Sequence, residues 1–419
     1  MRVLWFTHTP SLGSDHIRLK KIGGGWIQSL EAELAKNTNI ELGIAFKCDQ
    51  ADIKFFKSGN TQYYPYFLPA EGNRFVQIYK RWKHDIGANR FDKHYLEIIQ
   101  KFKPDVIHIF GTEFEHSLIV SLTTVPCIIH LQGNLIAVKH KWFSGLTSLD
   151  IIRYSKKKPL LQGYGLFHQY FTITKSVERE FKVFRACKYF MGRTDWDRRL
   201  TSILSPKSRY FHCEEIIRRN FYLHEWKSQN KTVYTIFSSI RNVIYKGIET
   251  IFECSKLLSE SFPEFNFIWK VAGISPSDEL IYMLERKYSG KFKNYNVQLL
   301  GSIDENALID SMLDADIFVH PSHIDNSPNS VCEAMILGMP VIATSVGGIP
   351  SIIENNKEGL LIQDGDPFAL AGGILELFKA KNLAQSLGSN ARRKAFDRHN
   401  PEHIGSTVYD IYSSILKEN

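Results

Sequence analysis

The 419-residue chain is 43% hydrophobic and 23% charged, which excludes a protein that is disordered along most of its length. Its six cysteines show no CxxC spacing, which excludes a small disulfide scaffold and indicates reduced thiols in a cytosolic protein. A net charge of +8 from scattered basic residues, without a nucleic-acid motif, fits an anionic small substrate or an anionic membrane surface rather than nucleic acid.

The N-terminal half alternates short apolar runs with longer amphipathic segments. Its opening residues, Met1–Thr7, fit a first strand rather than a signal peptide. Near-continuous apolar runs are typical of a parallel sheet that helices cover on both faces. The predicted strands are Val3–Phe6, Ile40–Phe46, Asp105–Ile109, Cys127–Leu131 and Tyr189–Met191, the last of which is expected to close the set.

The alternation resumes after residues 214–231, a charged and aromatic stretch with weak periodicity that we interpret as a linker. Asp366 followed by Pro367 predicts a helix start, and the C-terminal segment reads as helical with a break at Pro401. The strands predicted in this half are Val233–Phe237, Phe267–Val271, Val297–Leu300, Ile317–Val319, Val341–Ala343 and Gly359–Ile362.

Two sets of alternating elements predict an α/β protein with two doubly wound Rossmann-like domains, residues 1–215 and 232–399. Such sheets bind ligands at the carboxyl ends of their strands, so two of them facing each other would form a cleft for two substrates. No apolar run in the sequence reaches the ~20 residues that a bilayer-spanning helix needs. We therefore expect a cytoplasmic protein, soluble or peripherally attached to the inner face of the membrane.

Two acidic residues, Asp325 and Glu333, follow the predicted strand Ile317–Val319. The first is in a loop, and the second is inside a helix predicted to begin near 327–330. The N–H groups at a helix start suit a phosphate, while the carboxylates can accept hydrogen bonds from the hydroxyls of a sugar and a ribose. Around this start we assign the ligand to Asn326, Ser327, Asn329, Ser330 and Val331.

A glycine pair, Gly347 and Gly348, stands in a loop after the next predicted strand, where glycine permits close approach to a ligand. The acids, the Ala-Met that follows, a Gly-x-Pro-Val-Ile-Ala-Thr run and Val-Gly-Gly-Ile-Pro together resemble the donor site of retaining glycosyltransferases of the GT-B fold, glycosyltransferase family 4. The resemblance covers about residues 230–375 well. Asp325 departs from it, because Glu is commonest there and Asp has a shorter reach.

The resemblance also assigns the donor's diphosphate to the loop after the first strand of the second domain. In the family an Arg and a Lys before Gly neutralise the leaving diphosphate, and Lys246 matches that lysine, while Arg241 lies one residue closer to it than the commonest spacing. A fixed cation stabilises the charge that develops on the diphosphate without a metal. The implied donor is a UDP- or GDP-sugar, with no cofactor required, and no HExxH or Cys/His spacing predicts a metal site.

The N-terminal half carries the candidates for the acceptor side. Gly24 and Gly25 precede a predicted helix and offer backbone N–H groups to a phosphate or an acceptor. His130, at a strand end, resembles the family's active-site histidine, which would position hydroxyls and oppose charge without acting as a general base. In the family this domain binds the acceptor, and the last helix, here 400–419, packs back on it. Basic and aromatic clusters near 80–84 and 153–158 favour an anionic membrane or a lipid-linked acceptor.

We therefore predict a metal-independent retaining glycosyltransferase of the hexosyltransferase type, with catalytic roles for His130, Asp325, Lys246 and Arg241. Its acceptor would be a saccharide or lipid-linked molecule in cell-surface polysaccharide or glycoconjugate synthesis. Two alternatives stay open. A GT-B nucleotide-sugar epimerase shares the two-domain cleft, although the lysine and glycine motifs fit it less well. A non-catalytic nucleotide-sugar sensor would bind without turnover, and the retention of both acids and Lys246 argues against it.

Overall fold

The computed structural model describes residues 1–17, 25–69, 72–87 and 90–418, so the predicted site residue Gly24 lies outside the described residues. The chain divides into two compact units. Unit 1 comprises Met1–Ile136, Phe171–Arg218 and His399–Asn419, and unit 2 comprises Ala137–Tyr170 and Arg219–Arg398. The chain therefore enters unit 2 twice and returns to unit 1 each time.

Unit 1 is built on a single sheet. Its strands are β1 (Arg2–Thr7), β2 (Glu41–Lys47), β3 (Phe56–Ser58), β4 (Thr61–Tyr66), β5 (Val106–Phe110), β6 (Cys127–His130), β7 (Tyr189–Gly192) and β8 (Arg209–His212). They lie in the order β3-β4-β2-β1-β5-β6-β7-β8, and the pairs are parallel except for β3 with β4. The strands β5, β6 and β7 are buried at every residue, as their apolar runs predict.

The prediction that Tyr189–Met191 closes the first set of strands is wrong, because β8 extends the sheet by one further strand. The sequence offers little sign of β8, since an edge strand is covered less completely and two of its four residues are exposed. At the opposite side of the sheet, the edge strand β3 and its neighbour β4 were also not predicted. Burial of both faces is what makes a strand visible as an apolar run, and the edge strands β3 and β8 lack it. The strand β4 has four buried residues of six, but its sequence, TQYYPY, interrupts the apolar run with Gln62 and Pro65.

Helices connect the strands of both units. In chain order they are α1 (Ser14–Ile17), α2 (Gly25–Leu34), α3 (Arg74–Trp82), α4 (Asp92–Phe102), α5 (Leu135–His140), α6 (Ser148–Tyr154), α7 (Lys157–Leu161), α8 (Leu166–Ala186), α9 (Asp195–Leu204), α10 (Ile248–Ser261), α11 (Glu279–Lys287), α12 (Glu305–Leu313), α13 (Asn329–Leu337), α14 (Pro367–Lys379), α15 (Lys381–Arg398) and α16 (Pro401–Glu418). The break between α15 and α16 falls at Pro401, as predicted.

The last helix, α16, belongs to unit 1. Its apolar face packs into one core with α2 and with the strands β1 and β5. The hydroxyl of Tyr412 accepts a hydrogen bond from Nε1 of Trp5 (3.1 Å) and lies 2.6 Å from Nδ1 of His108. A C-terminal helix thus completes a core that the first strands of the chain begin.

Unit 2 is built on a second sheet. Its strands are β9 (Tyr234–Ser239), β10 (Phe267–Ala272), β11 (Val297–Gly301), β12 (Ile317–His320), β13 (Val341–Thr344) and β14 (Leu360–Ile362). They are all parallel and lie in the order β11-β10-β9-β12-β13-β14. The strands β10 and β11 follow β9 on one side of the sheet, and β13 and β14 follow β12 on the other, so the strand order reverses between β9 and β12. Ligands bind beside such a reversal, outside the carboxyl ends of the central strands.

The segment Ala137–Tyr170 groups with unit 2, whereas the sequence analysis assigned it to the N-terminal domain. The physical reason is burial, because Leu146, Ile151 and Leu166 lie in the core that unit 2 builds around β9 and β10. Residues 214–231 were interpreted as a linker, yet Trp226 is anchored in unit 2. Its backbone N–H donates to the carbonyl of Leu337, and its indole N–H donates to the carbonyl of Ala315, both at 2.7 Å.

The six cysteines are free and buried, so they pack as small apolar residues. Within the described residues, no helix combines the length and the apolar character needed to cross a membrane.

Candidate active site

Two loops of unit 2 meet at the reversal of its sheet. The first follows β9 and carries Lys246, and the second follows β12 and carries Asp325. The backbone N–H of His323 donates to the carbonyl of Tyr245 (2.9 Å). At Gly247, whose φ is +75°, a Cβ would lie 2.0 Å from the carbonyl oxygen of Pro321, so only glycine permits this approach. Backbone contacts therefore fix the distance between the lysine and the acid.

The carboxylate of Asp325 is the centre of the site. Its Oδ2 forms an ion pair with Nζ of Lys246 and lies 2.9 Å from Nε2 of His320, while its Oδ1 accepts the backbone N–H of Asn326 (3.1 Å). Burial alone would raise the pKa of Asp325, but the Lys246 charge and the His320 hydrogen bond hold it well below its usual range. The site therefore presents one ionised acid held by one cation.

His320 enters the site from the last residue of β12, and only 2% of its side chain is exposed. Burial lowers the pKa of His320 despite the adjacent carboxylate, which favours the neutral imidazole. A neutral histidine that donates from Nε2 has an acceptor at Nδ1. The sequence contained one usable signal for His320, because it is a polar residue that ends a buried parallel strand.

A glycine loop holds the backbone of Asp325. Gly347 has a φ of +52°, and a Cβ there would lie 1.9 Å from the carbonyl oxygen of Asp325. The N–H of Gly348 donates to that same oxygen at 3.0 Å. The structure thus places the predicted glycines against the predicted acid. They contact the protein's own backbone, so their role here is to position Asp325.

The helix α13 begins beside the same loop. Pro328 caps it, and its first turn contains Asn329 and Ser330, both half-buried. The first N–H groups of a helix have no partner within it and carry partial positive charge, which suits an anion. Glu333, which is 5% exposed, lies about one turn into the helix. The other predicted residues at this start, Asn326, Ser327 and Val331, are buried.

Arg241 is the predicted residue that the structure does not bring into this cluster. It lies exposed in the loop after β9, and its guanidinium makes no hydrogen bond or ion pair with the residues that the structure describes. Lys246, by contrast, has only 13% of its side chain exposed and is held by Asp325. The lysine is therefore the fixed cation of the unit 2 site.

A second polar cluster in unit 2, absent from the sequence analysis, flanks the first. His323 lies between two carboxylates, with Nε2 2.5 Å from Oε1 of Glu249 and Nδ1 3.4 Å from Oδ2 of Asp364. Lys141 completes it with an ion pair to Asp364 at 3.0 Å. Burial alone would lower the pKa of His323, but the two carboxylates raise it. No sequence motif joins residues so far apart in the chain.

Unit 1 places His130 at the carboxyl end of β6, with 1% of its side chain exposed. Its ring packs against the edge of Trp26 and stacks on His108, and its Nε2 lies 3.8 Å from a carboxylate oxygen of Glu215. Burial lowers the pKa of His130, and the charge of Arg193 lowers it further, so the imidazole is neutral. The predicted histidine is therefore enclosed by aromatic rings.

Two further features of unit 1 are Glu113, which the sequence analysis did not single out, and the predicted residue Gly25. Glu113, in the loop after β5, accepts the backbone N–H of Gly133 at 2.6 Å, so its carboxylate joins the loops after β5 and β6. A Cβ on Gly111 or on Gly133 would lie within 2.7 Å of that carboxylate. Gly25 is the first residue of α2, and the side chain of Arg218 lies against it. Among the described residues no cluster of His, Cys, Asp and Glu could hold a metal ion.

Residues 223–394 match the family model described as glycosyl transferases group 1. The matched segment contains Lys246, Asp325, Glu333 and the glycine pair. This segment of the chain is therefore similar to group 1 glycosyltransferases.

Curated relatives agree over part of their length. The chain is 27% identical over 190 residues to the capsular polysaccharide biosynthesis glycosyltransferase CapM of Staphylococcus aureus, covering 39% of this chain and 49% of that protein. It is 31% identical over 123 residues to the N-acetyl-alpha-D-glucosaminyl L-malate synthase of Bacillus anthracis, covering 29% of this chain and 32% of that protein. The chain thus matches about half or less of the length of these relatives.

Solved structures extend the likeness to the whole chain. The sucrose-phosphate synthase of Thermosynechococcus elongatus aligns with a TM-score of 0.72 at 15% identity, covering 100% of both chains. Anabaena HepE, in complex with UDP and glucose, aligns with a TM-score of 0.66 at 13% identity, covering 99% of this chain and 100% of that one. At such identities the likeness shows the fold alone. It is the α/β fold of two parallel-sheet, Rossmann-like domains found in GT-B glycosyltransferases.

Proposed function

We propose that the protein is a retaining glycosyltransferase of family 4. It transfers a sugar from a UDP- or GDP-sugar to a saccharide or lipid-linked acceptor in the synthesis of a cell-surface polysaccharide or glycoconjugate. One observation carries the proposal. Within the segment that matches the family model, two loops at the sheet reversal hold Lys246 and Asp325 in contact beside the start of α13.

Lys246 is the residue that we assign to the diphosphate. When the bond between the sugar C1 and the phosphate oxygen breaks, the leaving nucleoside diphosphate gains negative charge. A cation fixed by the protein stabilises that charge without reorganising during the reaction. The N-terminal N–H groups of α13 supply further positive potential. Lys246 and these N–H groups together offset the negative charge of the diphosphate. We therefore propose a metal-independent enzyme.

Asp325 and Glu333 are the residues that we assign to the hydroxyl groups of the donor. An ionised carboxylate accepts two or more hydrogen bonds, so Asp325 can hold sugar hydroxyls and keep its ion pair with Lys246. The short Asp325 side chain is supported by His320, which keeps its carboxylate oriented. Glu333, one turn into α13, is assigned to the ribose diol. Gly347 and Gly348 keep the backbone of Asp325 in place.

Retention of configuration requires the acceptor oxygen to form its bond on the face that the leaving group vacates. In the proposed step the bond from C1 to the acceptor oxygen forms as the bond from C1 to the phosphate oxygen breaks. The acceptor proton passes to the leaving phosphate. The neutral His130 then serves to position hydroxyl groups and has no need to act as a base. We assign the acceptor to unit 1, with peripheral contact at an anionic membrane surface.

Uracil is the base to test first. Anabaena HepE and Staphylococcus aureus TarM both have solved structures in complex with UDP. The capsular and colanic acid relatives act in polysaccharide synthesis by their names, which favours a saccharide acceptor. The family-model match favours the transferase over the epimerase and the sensor.

The test measures UDP-glucose and GDP-mannose turnover with purified protein and no acceptor. We expect slow release of UDP or GDP, whereas an epimerised sugar nucleotide would identify the epimerase and binding without turnover the sensor. Lys246→Ala and Glu333→Ala should each reduce release at least about 100-fold while circular dichroism and the melting temperature remain close to wild type. The matched controls are Lys270→Ala and Glu354→Ala, which remove surface charges of unit 2. Full activity in either site variant would overturn the assignment.

A further inference from the structure

The helix α3, Arg74–Trp82, has no buried residue. Asn73 caps its start, since the Asn73 side chain accepts the backbone N–H groups of Phe75 and Val76, each at 3.1 Å. A helix of nine residues is marginally stable in water by itself, and most helices gain their stability by packing an apolar face. Within the part of the chain that the structure describes, the apolar face of this helix is left largely exposed.

Three aromatic side chains form a stripe on that face. Phe75, Tyr79 and Trp82 are spaced four and three residues apart, which places them on one side of a helix. Their exposed fractions are 80%, 61% and 48%. Solitary exposed apolar residues are ordinary, but a continuous aromatic stripe along one helix indicates an interaction surface.

The charge around the stripe selects the partner. Residues 72–84 contain four cations, Arg74, Lys80, Arg81 and Lys83, and no Asp or Glu. At 100° per residue, Arg81 and Lys83 fall on opposite sides of the aromatic stripe. Lys83 lies 5.8 Å from the centre of the Tyr79 ring. An aromatic centre flanked by cations is complementary to a surface that is apolar below and negatively charged above.

We propose that α3 is the element by which the protein lies on an anionic lipid bilayer, with the aromatic stripe in the interface and the cations at the lipid phosphates. Short amphipathic helices bind in this orientation, and tyrosine and tryptophan concentrate at the membrane–water boundary. The inference rests on the membrane contact proposed above and is separate from the sugar-transfer chemistry. Vesicle binding can therefore test it without any donor.

The experiment is flotation of the full chain with vesicles of phosphatidylcholine alone and of phosphatidylcholine mixed with phosphatidylglycerol. The wild type should bind the mixed vesicles and not the neutral ones. The triple variant Phe75→Ser/Tyr79→Ser/Trp82→Ser should lose at least about tenfold in partitioning. The control is Ile203→Ser on α9, which removes another apolar residue of unit 1 that is 80% exposed, and it should bind as the wild type does.

A second variant separates charge from apolar contact. Lys80→Gln/Arg81→Gln/Lys83→Gln should weaken partitioning by roughly fivefold for each cation removed, because each contributes about 1 kcal/mol at an anionic surface. Its residual binding should depend less on salt than that of the wild type. Both triple variants affect exposed side chains, and circular dichroism reports whether they fold.

Trp82 provides a direct signal. Its emission should shift to the blue with mixed vesicles, and Trp82→Phe should abolish the shift while keeping most of the binding. Wild-type binding that the aromatic variant retains in full would overturn the role of α3. Absence of any wild-type binding would overturn the membrane contact as well, and self-association through α3 in sedimentation experiments would assign the stripe to a second copy instead. None of these outcomes depends on whether UDP-glucose turns over.

Discussion

At the scale of single residues, the unit 2 site is a set of mutually dependent charges. Asp325 stays ionised because Lys246 and His320 both act on one of its oxygens. Removing one member of a largely buried pair leaves the other charge without compensation. The same reasoning applies to the adjacent cluster, where the carboxylates of Glu249 and Asp364 flank His323 and raise its pKa.

The His323 cluster predicts a pH dependence of stability. A group whose pKa is raised in the folded state contributes stability that is complete below its unfolded pKa, about 6.5 for histidine, and is lost as the pH rises through the folded value. The direction of the His323 shift is upward. We expect His323→Gln to lower the free energy of unfolding by roughly 1.5–3 kcal/mol below about pH 6.5 and by progressively less above it.

Urea unfolding of wild type and variant over a pH series measures this difference. His403→Gln, which replaces an exposed histidine of α16, should leave the profile of the wild type unchanged. Burial lowers the pKa values of His108 and His130, which also makes stability depend on pH. Their contribution cancels when the free energy of unfolding of His323→Gln is subtracted from that of the wild type. A destabilisation by His323→Gln that stays constant from acid to alkaline pH would contradict the ionised interpretation of the cluster.

At the scale of elements, the loop after β13 shows why one residue type is required. Gly347 adopts a φ of +52°, and its Cα approaches the carbonyl of Asp325 too closely for any Cβ. Gly347→Ala should therefore lower stability by roughly 1–3 kcal/mol and displace Asp325, so that UDP-glucose no longer raises the melting temperature. Thermal shift with and without UDP-glucose measures both effects.

The control for this loop is Gly372→Ala. Gly372 lies in the middle of α14, and no atom lies within 4 Å of its added Cβ. Alanine favours a helix interior over glycine by roughly 0.5–1 kcal/mol, so this variant should gain stability and keep the UDP-glucose effect. Retained UDP-glucose binding in Gly347→Ala would show that Asp325 does not need the glycine loop.

Elements also show what the sequence could predict. Central parallel strands were visible because both of their faces are buried, and the start of α13 and the break at Pro401 follow from local chemistry. The edge strand β8 escaped because half of its residues are exposed. The His323–Glu249 contact escaped for another reason, since it joins residues 74 positions apart and no local pattern encodes such a pairing.

At the scale of the whole molecule, the chain closes each unit with segments distant in sequence. The segment Ala137–Tyr170 completes the core of unit 2 although unit 1 residues precede and follow it, and α16 completes the core of unit 1. The placement of these distant segments could not be predicted from the alternation of strands and helices. Apolar periodicity indicates which face of a helix is buried, but not which element it packs against. The resemblance to a family supplied the return of α16 as an expectation.

The hydroxyl of Tyr412 is the polar link between α16 and the strands β1 and β5. A tryptophan N–H only donates, so the hydroxyl accepts from Trp5 and can give its own proton to Nδ1 of His108. Burial lowers the pKa of His108 to about 3, so the imidazole is neutral. Tyr412→Phe leaves two buried groups without this partner, which costs about 1–3 kcal/mol for each.

We therefore expect Tyr412→Phe to lower the urea midpoint of unit 1. The fluorescence of the buried Trp5 follows this transition, once the signal of a Trp5→Phe protein has been subtracted. The donor residues proposed above all lie in unit 2, so the effect of UDP-glucose on the melting temperature should persist. Tyr409→Phe is the matched control on the same helix, because Tyr409 is partly exposed and its change should stay within about 0.5 kcal/mol. Equal midpoints for the two variants would show that the Trp5–Tyr412–His108 link does not hold α16 in place.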